Sequence, residues 1–558
     1  MYKSALGSVF RNEFAEKIFA QKYRHEGALT WEELCHTVVE DVCRDKMTKD
    51  EKDQLKEYMR QGKVFPAGRY LYYAGKLKKF FCNCYVLFAQ EDTREDWADL
   101  SKRTELCLST GGGIGVNYDV YRPSGSPLHG TGGTASGPIS KMLMVNEIGR
   151  QIMQGGSRRS AIYASLNWKH QDAGAFLSAK NWKNMKVGST GLSLWDVKQQ
   201  DFNFPAPLDM TNISLNFDTE WLLNYWKTGN IGEVFKENVR QAMSTGEPGL
   251  SFNFFDKEKE VGRNACCELS SSDDSDVCNL GSINFAAIKS VEELADVVSL
   301  FTMFLICGST VTDLPYDKVR LVRDKNRRIG LGVMGLHEWL LQRGDKYEVT
   351  PELHRWLTVY RGVSDATAIS FSNFLSVSTP IARRAIAPTG TIGILAGTTT
   401  GIEPLFSVAY KRRFLKGTKW HYQFVIDGTT QELINQYGLR PDDLDTALSM
   451  STDYERRIRF QADTQQYVDH AISSTINLSP WGSDTNNEDK VDAFANTLAR
   501  YCHRLRGFTV YPDGSRGGQP LTPVSYKDAK ARLNETFEEG IEVHDICDIQ
   551  GRGGTCGA

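Results

Sequence analysis

The sequence predicts an α/β fold with many parallel strands. From about residue 65 to 525, apolar runs alternate with helical stretches and glycine-rich turns, as in NCYVLF and IGLGVMGLHEWLL. Strands that alternate with helices are typical of parallel sheets covered by their connecting helices. No internal repeat of solenoid length appears, and no low-complexity linker divides the middle of the chain. We therefore expect one large α/β domain over residues 65–525.

The two ends differ from this middle part. Residues 1–64 carry apolar residues at helical spacing in three stretches, and the segment Phe65-Pro66-Ala67-Gly68 then breaks that pattern. The last segment, 526–558, starts with a helical pattern and ends in GRGGTCGA, which offers little to pack and is expected to be mobile. This predicts a short helical region, the large domain and a C-terminal segment with a mobile tail.

Composition excludes several classes of protein. The chain has 558 residues, a formal net charge of -3, 41% hydrophobic and 24% charged residues, values typical of a globular protein. Basic and acidic residues are interspersed, so no nucleic-acid partner is expected. The N-terminus carries charges throughout and lacks a signal peptide, and no apolar run approaches a bilayer span. We expect a cytoplasmic protein, in the host-cell cytoplasm if viral, without a membrane partner.

Cysteine usage indicates a reducing compartment. Twelve cysteines in 558 residues are too few for a disulfide scaffold, and none of their spacings forms paired CxxC knuckles. No metal site is therefore expected. Half of the cysteines have no distinctive neighbours and are assigned to packing: Cys35, Cys43, Cys82, Cys107, Cys307 and Cys502.

The strongest local signal is the segment Asn264-Ala265-Cys266-Cys267-Glu268, followed by Cys278, which lies 12 positions after Cys266. If the segment is extended, Asn264 and Glu268 project to the side of Cys266. An amide, a thiol and a carboxylate in one small volume outline a chemical site. The alternative is a buried cysteine beside a capped turn, and the short motif alone leaves both interpretations open.

This cluster resembles the active-site finger loop of ribonucleotide reductases, where the usual pattern is Asn-Pro-Cys-Gly-Glu and then Cys-Asn-Leu. Further family motifs follow in order over about residues 65–520: FPAGR from 65, NCYV from 83, GGGIG from 111, GGTASGP from 132, GEPG from 246, NRRIG from 326, PTGTI from 388, GIEP from 401 and VYPDGSR from 510. The chain is thus identified as resembling the catalytic large chain, close to the adenosylcobalamin-dependent branch or to a short phage-type relative near the split between branches. The resemblance implies a ten-stranded α/β barrel with a central finger loop. The N-terminal helices are too short for the family's ATP cone and lack its motif, so no ATP cone is expected.

The resemblance also implies a role for five residues. Cys266 matches the cysteine whose thiyl radical removes hydrogen from the ribose 3′ carbon, Glu268 matches the carboxylate that takes the 3′-hydroxyl proton, and Asn264 matches the amide that holds the ribose hydroxyls. Cys84 and Cys278 match the pair that delivers two electrons and closes to a disulfide. A radical on sulfur suits this abstraction in a dry pocket, where side reactions are excluded.

Two residues depart from the family pattern. Ala265 stands where proline is usual, which loosens the backbone, and Cys267 stands where glycine is usual. We interpret Cys267 as a packed neighbour, because as a radical carrier it would have the wrong spacing to Asn264 and Glu268.

Nucleotide sites follow from the resemblance as well. It implies that Asn83 binds substrate and that a phosphate loop precedes a helix N-terminus, although a simple turn is the alternative. Asp92 and Thr93 resemble the start of a site for a deoxynucleoside triphosphate effector at a homodimer interface; an N-cap is the alternative, and both can hold. The specificity loop is expected within residues 181–211. The phosphate loop comprises Pro388, Thr389, Gly390, Thr391, Ile392 and Gly393.

Electron supply and radical supply remain open between alternatives. Cys547 and Cys556 match the redox tail that the family uses for thiol exchange with thioredoxin or glutaredoxin, although Cys547 could simply be buried. The radical source is either adenosylcobalamin, which the residues of the TASGP and PTGTIG motifs favour, or a separate metal-containing subunit that acts through Tyr511. The substrate is a ribonucleoside di- or triphosphate.

Two other classes of function compete with this interpretation. GGGIG could be the dinucleotide loop of a flavin or nicotinamide oxidoreductase, but a lone glycine-rich segment is weak support. A nucleotide-binding, non-catalytic paralogue would have lost chemistry, whereas all five expected active-site residues are present.

Overall fold

The computed structural model describes residues 4–152, 160–188, 190–201, 204–416, 419–515, 521–533 and 535–542. Cys547 and Cys556 lie outside these residues.

Three helices precede the barrel: α1 (Glu13–Lys22), α2 (Trp31–Cys43) and α3 (Lys49–Arg60). Thr30 and Thr48 begin α2 and α3 with capping boxes, in which the threonine hydroxyl and a glutamate three residues later satisfy the first backbone amides. The apolar face of α2 packs into the same hydrophobic cluster as the long helices over residues 291–311 and 351–374. The N-terminal helices therefore share a core with the barrel.

Ten strands form a closed barrel made of two halves. The first half is parallel and contains β2 (Cys84–Phe88), β3 (Gly113–Asn117), β4 (Ile162–Asn167), β5 (Thr211–Asp218) and β6 (Gly249–Asn253). The second half contains β9 (Asp276–Asn284), β10 (Ile329–Met334), the short segments 382–387 and 470–473, the latter continuing into β13 (Thr475–Leu478), and β14 (Gly507–Pro512).

The two halves meet in antiparallel pairs, β2 with β9 and β6 with β14. Single parallel bridges close the ring, one between Leu331 and Arg384 and the other between Ile386 and Ile472. Backbone hydrogen bonds support both: Leu331 N donates to Arg383 O at 2.8 Å, and Ser473 N donates to Ile386 O at 2.8 Å. The predicted ten-stranded α/β barrel is confirmed.

The other helices connect the strands or follow them in the chain. They are α4 (Gly68–Tyr73), α5 (Arg94–Ser109), α6 (Gly137–Gln151), α7 (Ala173–Ser178), α8 (Leu194–Gln200), α9 (Thr219–Thr228), α10 (Glu233–Thr245), α11 (Val291–Val311), α12 (Asp317–Asn326), α13 (Leu336–Leu341), α14 (Pro351–Phe374), α15 (Gly390–Ala396), α16 (Gly428–Tyr437), α17 (Tyr454–Gln465), α18 (Val491–Tyr501) and α19 (Tyr526–Ala531).

Helix α11 is long and apolar enough to cross a membrane, by length and composition alone. Its apolar residues instead pack in the core beside α14 and α2, with 72% of the apolar window buried.

The remaining strands are not among the ten of the ring, although β1 pairs with β9. They are β1 (Val64–Pro66), β7 (Gly262–Arg263), β8 (Ser270–Ser271), β11 (Ala409–Lys416), β12 (Lys419–Ile426), β15 (Leu521–Pro523) and β16 (Thr536–Glu542), and the last four of these form one antiparallel sheet. The helical pattern predicted from residue 526 is wrong beyond α19, because β16 pairs with β12 instead. Phe537 stacks on Tyr422 with ring centroids 5.4 Å apart, a cross-strand contact that favours the strand.

Candidate active site

The segment between β7 and β8 is a finger loop whose base is a short antiparallel pair, Gly262 opposite Ser271 and Arg263 opposite Ser270. At its tip Cys267 N donates to Asn264 O at 3.0 Å, and Cys267 has a left-handed φ of 67°. The segment is therefore a turn, and the extended geometry considered for it is wrong. The turn itself brings Asn264 and Glu268 to the same place.

Asn264 joins the finger loop to the first barrel strand. Its Nδ2 donates to Cys84 Sγ at 2.8 Å and to Glu268 Oε1 at 2.9 Å, and Cys84 Sγ lies 3.5 Å from the same carboxylate oxygen. Leu269 N donates to Asn264 Oδ1 at 2.9 Å and fixes the amide's orientation. The amide, the carboxylate and one thiol thus form a single hydrogen-bonded group.

Cys84 and Cys278 stand directly opposite each other in the antiparallel pair of β2 and β9. Opposed residues in such a pair have Cα atoms about 4.5–5.5 Å apart, within the range that a disulfide requires. Both side chains are buried, at 4% and 1% exposure. The barrel therefore places two thiols, 194 residues apart in the chain, where they can form one S–S bond.

Burial controls the protonation of this group. It raises the pKa of Cys84 well above that of a free thiol, with the Glu268 carboxylate adding to the effect, and it also raises the pKa of Cys278. Burial likewise raises the pKa of Glu268, which is fully buried. Both thiols are thus held as S–H at neutral pH, and the carboxylate has an increased proton affinity.

Cys266 and Cys267 differ from the other described cysteines because they are only partly buried. Cys266 occupies the turn between Asn264 and Glu268, at the tip of the finger loop. The six cysteines assigned to packing are all buried thiols. Solvent access therefore separates the predicted radical cysteine from the packing cysteines.

The glycines of GGGIG make room for the finger loop. A Cβ added at Gly115 would lie 1.7 Å from the carbonyl oxygen of Arg263, and one at Gly113 would lie 2.9 Å from Ala265 Cβ. Both glycines lie on β3, so the loop backbone rests directly against this strand. This contact accounts for Gly113 and Gly115 without a dinucleotide, whereas a Cβ at Gly111 or Gly112 would instead meet Arg69 or Tyr85.

The predicted phosphate loop begins beside the thiol pair. Ala385 and Ala387, in the strand segment before it, belong to the same small apolar cluster as Cys84 and Cys278. Thr389 is the N-cap of α15 in a left-handed conformation, and its hydroxyl accepts a hydrogen bond from Gly401 N at 2.8 Å. The first amides of α15 are those of Gly390, Thr391 and Ile392, followed by Gly393. Amides at a helix start are donors suited to phosphate oxygens.

Asn83 Oδ1 and Glu268 Oε2 are buried acceptors near the pair that have no hydrogen-bond partner within the described part of the chain, and so is Asn279 Oδ1 beside Cys278. Asn83 adjoins Cys84, and its backbone amide donates to Cys278 O at 3.1 Å. Buried acceptors of this kind ordinarily have a donor. Asn83 Oδ1 and Glu268 Oε2 are available to accept from hydroxyl groups of a bound ligand.

The remaining predicted residues lie elsewhere. Thr93 caps α5, its hydroxyl accepting from Asp96 N at 3.1 Å, and Asp92 pairs with Arg122. Tyr511 lies on β14, opposite Asn477 of β13, and is partly exposed.

Three supporting residues were missed by sequence reasoning. Asn212 Nδ2 donates to Ala265 O at 3.2 Å, Ala471 N donates to Glu268 O at 2.8 Å, and Arg263 Nη2 donates to Asn253 Oδ1 at 2.7 Å. Asn212 begins the polar stretch Asn212-Ile213-Ser214, whose alternation was a usable signal. The contact of Ala471 with Glu268 joins segments 203 positions apart and left no local signal, whereas Arg263 and Asn253 are only 10 positions apart.

Comparison with known proteins assigns the barrel. The family described as "Ribonucleotide reductase, barrel domain" matches residues 82–204, 211–356 and 382–511, more than half of the chain. The chain is 27% identical to a vitamin B12-dependent ribonucleoside-diphosphate reductase of Mycobacterium tuberculosis, over 91% of this chain and 78% of that protein. It is 25% identical to a putative adenosylcobalamin-dependent ribonucleoside-triphosphate reductase of Mycobacterium phage D29, over 84% of this chain and 76% of that protein.

A solved structure has the same fold. The class Id ribonucleotide reductase alpha subunit of Actinobacillus ureae superposes with a TM-score of 0.70 and 16% sequence identity, covering 92% of this chain and 99% of that chain. With the finger loop, the opposed cysteines and the family match together, the chain belongs to the ribonucleotide reductase large-chain family.

Proposed function

We propose that this chain reduces ribonucleotides to 2′-deoxyribonucleotides, with Cys266 as the thiyl radical carrier and Cys84 and Cys278 as the electron donors. The observation that carries the proposal is the hydrogen-bonded group of Asn264, Glu268 and Cys84, with Cys278 directly opposite Cys84. A buried dithiol beside a carboxylate and an amide supplies the groups that reductive loss of a hydroxyl requires.

The proposed steps balance in atoms and electrons. The Cys266 thiyl radical takes the hydrogen from C3′, so a C–H bond breaks and an S–H bond forms, while Glu268 takes the 3′-hydroxyl proton. The 2′ C–O bond then breaks, and the hydroxyl leaves as water with a proton from the thiol pair. The other thiol hydrogen forms the new C2′–H bond, and the sulfurs of Cys84 and Cys278 supply two electrons as they form an S–S bond. Glu268 returns its proton to the 3′ oxygen, and Cys266 returns its hydrogen to C3′ and is again a thiyl radical.

The charge state of the site suits these roles. Because burial raises the pKa of Cys84 and Cys278, the pair carries the proton that departs with the hydroxyl. Because burial also raises the pKa of Glu268, the carboxylate is a stronger base than an exposed glutamate. Its Oε2, without a partner in the described part of the chain, is available to a ribose hydroxyl.

Substitution of the finger-loop cysteines tests this chemistry. We expect Cys266→Ser to form no deoxyribonucleotide, because an alcohol does not replace a thiol as radical carrier. The matched control Cys267→Ser changes the adjacent residue and should retain turnover. Product formation by Cys266→Ser, measured by chromatography of nucleotides, would contradict the proposal. Parallel assays with CDP and CTP identify the substrate class, since the relatives include both diphosphate and triphosphate reductases by name.

For the radical source we propose adenosylcobalamin, which when bound supplies a carbon-centred radical. Support comes from relatives named as B12-dependent or adenosylcobalamin-dependent and from the partial exposure of Cys266, which makes the thiol reachable from outside the loop. The alternative is a separate metal-containing subunit that acts through Tyr511. Turnover with adenosylcobalamin and dithiothreitol, with no second protein and also in a Tyr511→Phe variant, is the expected result. No turnover under these conditions, followed by turnover when a second subunit is added, would favour the alternative.

We also propose a homodimer that binds a deoxynucleoside triphosphate effector near Asp92 and Thr93. Helices α5 and α6 line a groove of about 760 Å³, in which the apolar side chains of Leu143 and Met144 are 38% and 47% exposed. An exposed apolar surface of this kind marks an interaction site. Reduction of the Cys84–Cys278 disulfide is assigned to thioredoxin or glutaredoxin, through Cys547 and Cys556.

A further inference from the structure

Arg11, which lies two residues before α1, reaches the far end of the helix that follows the phosphate loop. Its Nη1 donates to Gly397 O at 3.1 Å, to Glu338 Oε1 at 3.0 Å and to Glu432 Oε2 at 2.7 Å. Gly397 is the C-cap of α15, Glu338 belongs to α13 and Glu432 to α16. One guanidinium group thus ties the N-terminal segment to three elements of the barrel half that carries the phosphate loop.

Helix α15 is held at both of its ends. At its start, the Thr389 hydroxyl accepts from Gly401 N at 2.8 Å. At its end, the Thr398 hydroxyl donates to Glu338 Oε2 at 2.5 Å, while Arg11 bonds the other oxygen of that carboxylate. A Cβ added at Gly397 would lie 2.8 Å from Arg11 Cδ, so the arginine stem is in close contact with the helix end. The position of the loop amides therefore depends on the Glu338–Arg11 contact.

The charges make this contact hard to replace. The Glu338 side chain is only 1% exposed, and burial raises its pKa whereas Arg11 opposes that shift. Arg11 is the one cation paired with Glu338 within the described residues. Without it, a carboxylate would remain buried beside Glu432, an unfavourable state that protonation or movement of the Thr398 segment would relieve. Movement of the Thr398 segment would displace the end of α15, because Thr398 directly follows the C-cap Gly397.

We infer that Arg11 is a positioning residue of the phosphate loop, and that through it the N-terminal segment 4–22 is coupled to nucleotide binding. This inference rests on the proposed function and extends it, because it takes the amides at the start of α15, in the predicted phosphate loop, as the site of the substrate phosphates. Coupling is reciprocal: if Arg11 helps to hold the loop for the nucleotide, a bound nucleotide must stabilise the contacts of the N-terminal segment by the same factor.

Hydrogen exchange in the full-length protein tests this coupling directly. With CDP or CTP as the probe, we expect amides of residues 4–22 to exchange about fivefold more slowly, and nucleotide affinity in Arg11→Gln to fall about fivefold or more. The nucleotide should no longer protect residues 4–22 in that variant. Lys63→Gln is the matched control, because it removes the ion pair of Lys63 with Glu293, which contacts neither α15 nor Glu338. It should keep both the affinity and the protection.

A second variant separates positioning from folding. The double variant Arg11→Gln, Glu338→Gln removes both charges, so no unpaired carboxylate is left buried to destabilise the fold. The nucleotide affinity and the protection of residues 4–22 should still be lost. If either Arg11 variant binds nucleotide and protects residues 4–22 as the unaltered protein does, or if the unaltered protein shows no protection, the inference is wrong. Failure of the proposed function is distinguishable, because nucleotide binding and protection would persist while Cys266→Ser retained turnover.

Discussion

Gly115 gives the sharpest test of how the finger loop is held in the barrel. In Gly115→Ala the new Cβ would lie 1.7 Å from Arg263 O and 3.1 Å from Asn264 Cα, both backbone atoms of the finger loop. Close carbon–oxygen contacts in proteins are about 3.3 Å, so strand and loop must separate by about 1.6 Å. A misplacement of about 1 Å can cost about 100-fold in rate. We therefore expect kcat to fall about 100-fold or more, and overpacking to cost about 1–3 kcal/mol of stability.

The assay compares kcat and the free energy of unfolding with those of Gly362→Ala. Gly362 lies within α14, and an added Cβ there meets nothing within 4 Å. That control should keep wild-type turnover and gain about 1 kcal/mol, since alanine is the better helix former. Wild-type kcat in a folded Gly115→Ala protein would refute the claim that contact with β3 positions the loop.

Three further predictions concern the same site and the proposed dimer. Cys267→Gly should keep turnover and should have a free energy of unfolding about 0.5–1 kcal/mol higher than that of Cys267→Ala, because glycine adopts the φ of 67° without the strain that alanine retains. Chemical denaturation measures the difference, and equal stabilities of the two variants would contradict the prediction. Glu268→Gln should lower kcat about 100-fold, the usual size of a general-base contribution. Because burial raises the pKa of Glu268, the native protein loses stability as the pH rises above the ordinary pKa of glutamate. Urea titrations at several pH values should show that Glu268→Gln lacks this loss. The same pH dependence of stability in the variant and the native protein would argue against the buried carboxylate. Met144→Glu should dissociate the proposed dimer, as measured by analytical sedimentation. Leu77→Glu should leave the dimer intact, because this side chain is 94% exposed and lies outside the surface of α5 and α6. Dissociation by both variants would contradict a specific role of α5 and α6 in the dimer.

Local patterns in the sequence were sufficient for the elements and for the identity of the reactive groups. The alternation of apolar strands and helices predicted the α/β fold, and the family motifs implied the ten-stranded ring that the structure closes at Leu331 and Ile386. The glycine-rich GGGIG segment was recognised as a motif, but its physical reason, a backbone contact with Arg263, joins residues nearly 150 positions apart. Local spacing carries no record of such a contact.

The misses have similar causes. The finger-loop tip was considered as an extended segment, whereas the hydrogen bond from Cys267 to Asn264 closes a turn that requires a left-handed residue, a conformation rare for cysteine. The strand at residues 536–542 depends on pairing with β12, a tertiary contact that overrides the helical pattern of that segment. Ala471 supports the loop through a single backbone hydrogen bond to Glu268, which no motif in the sequence predicts.

The central claim is that two buried thiols on opposed strands supply the electrons for each reduction. A single turnover in the absence of external reductant measures this directly, with disulfides mapped by mass spectrometry of peptides and product counted on the same sample. We predict one Cys84–Cys278 disulfide for each deoxyribonucleotide formed, with Cys266 recovered as a thiol. Deoxyribonucleotide formed while Cys84 and Cys278 both remain reduced would contradict the account.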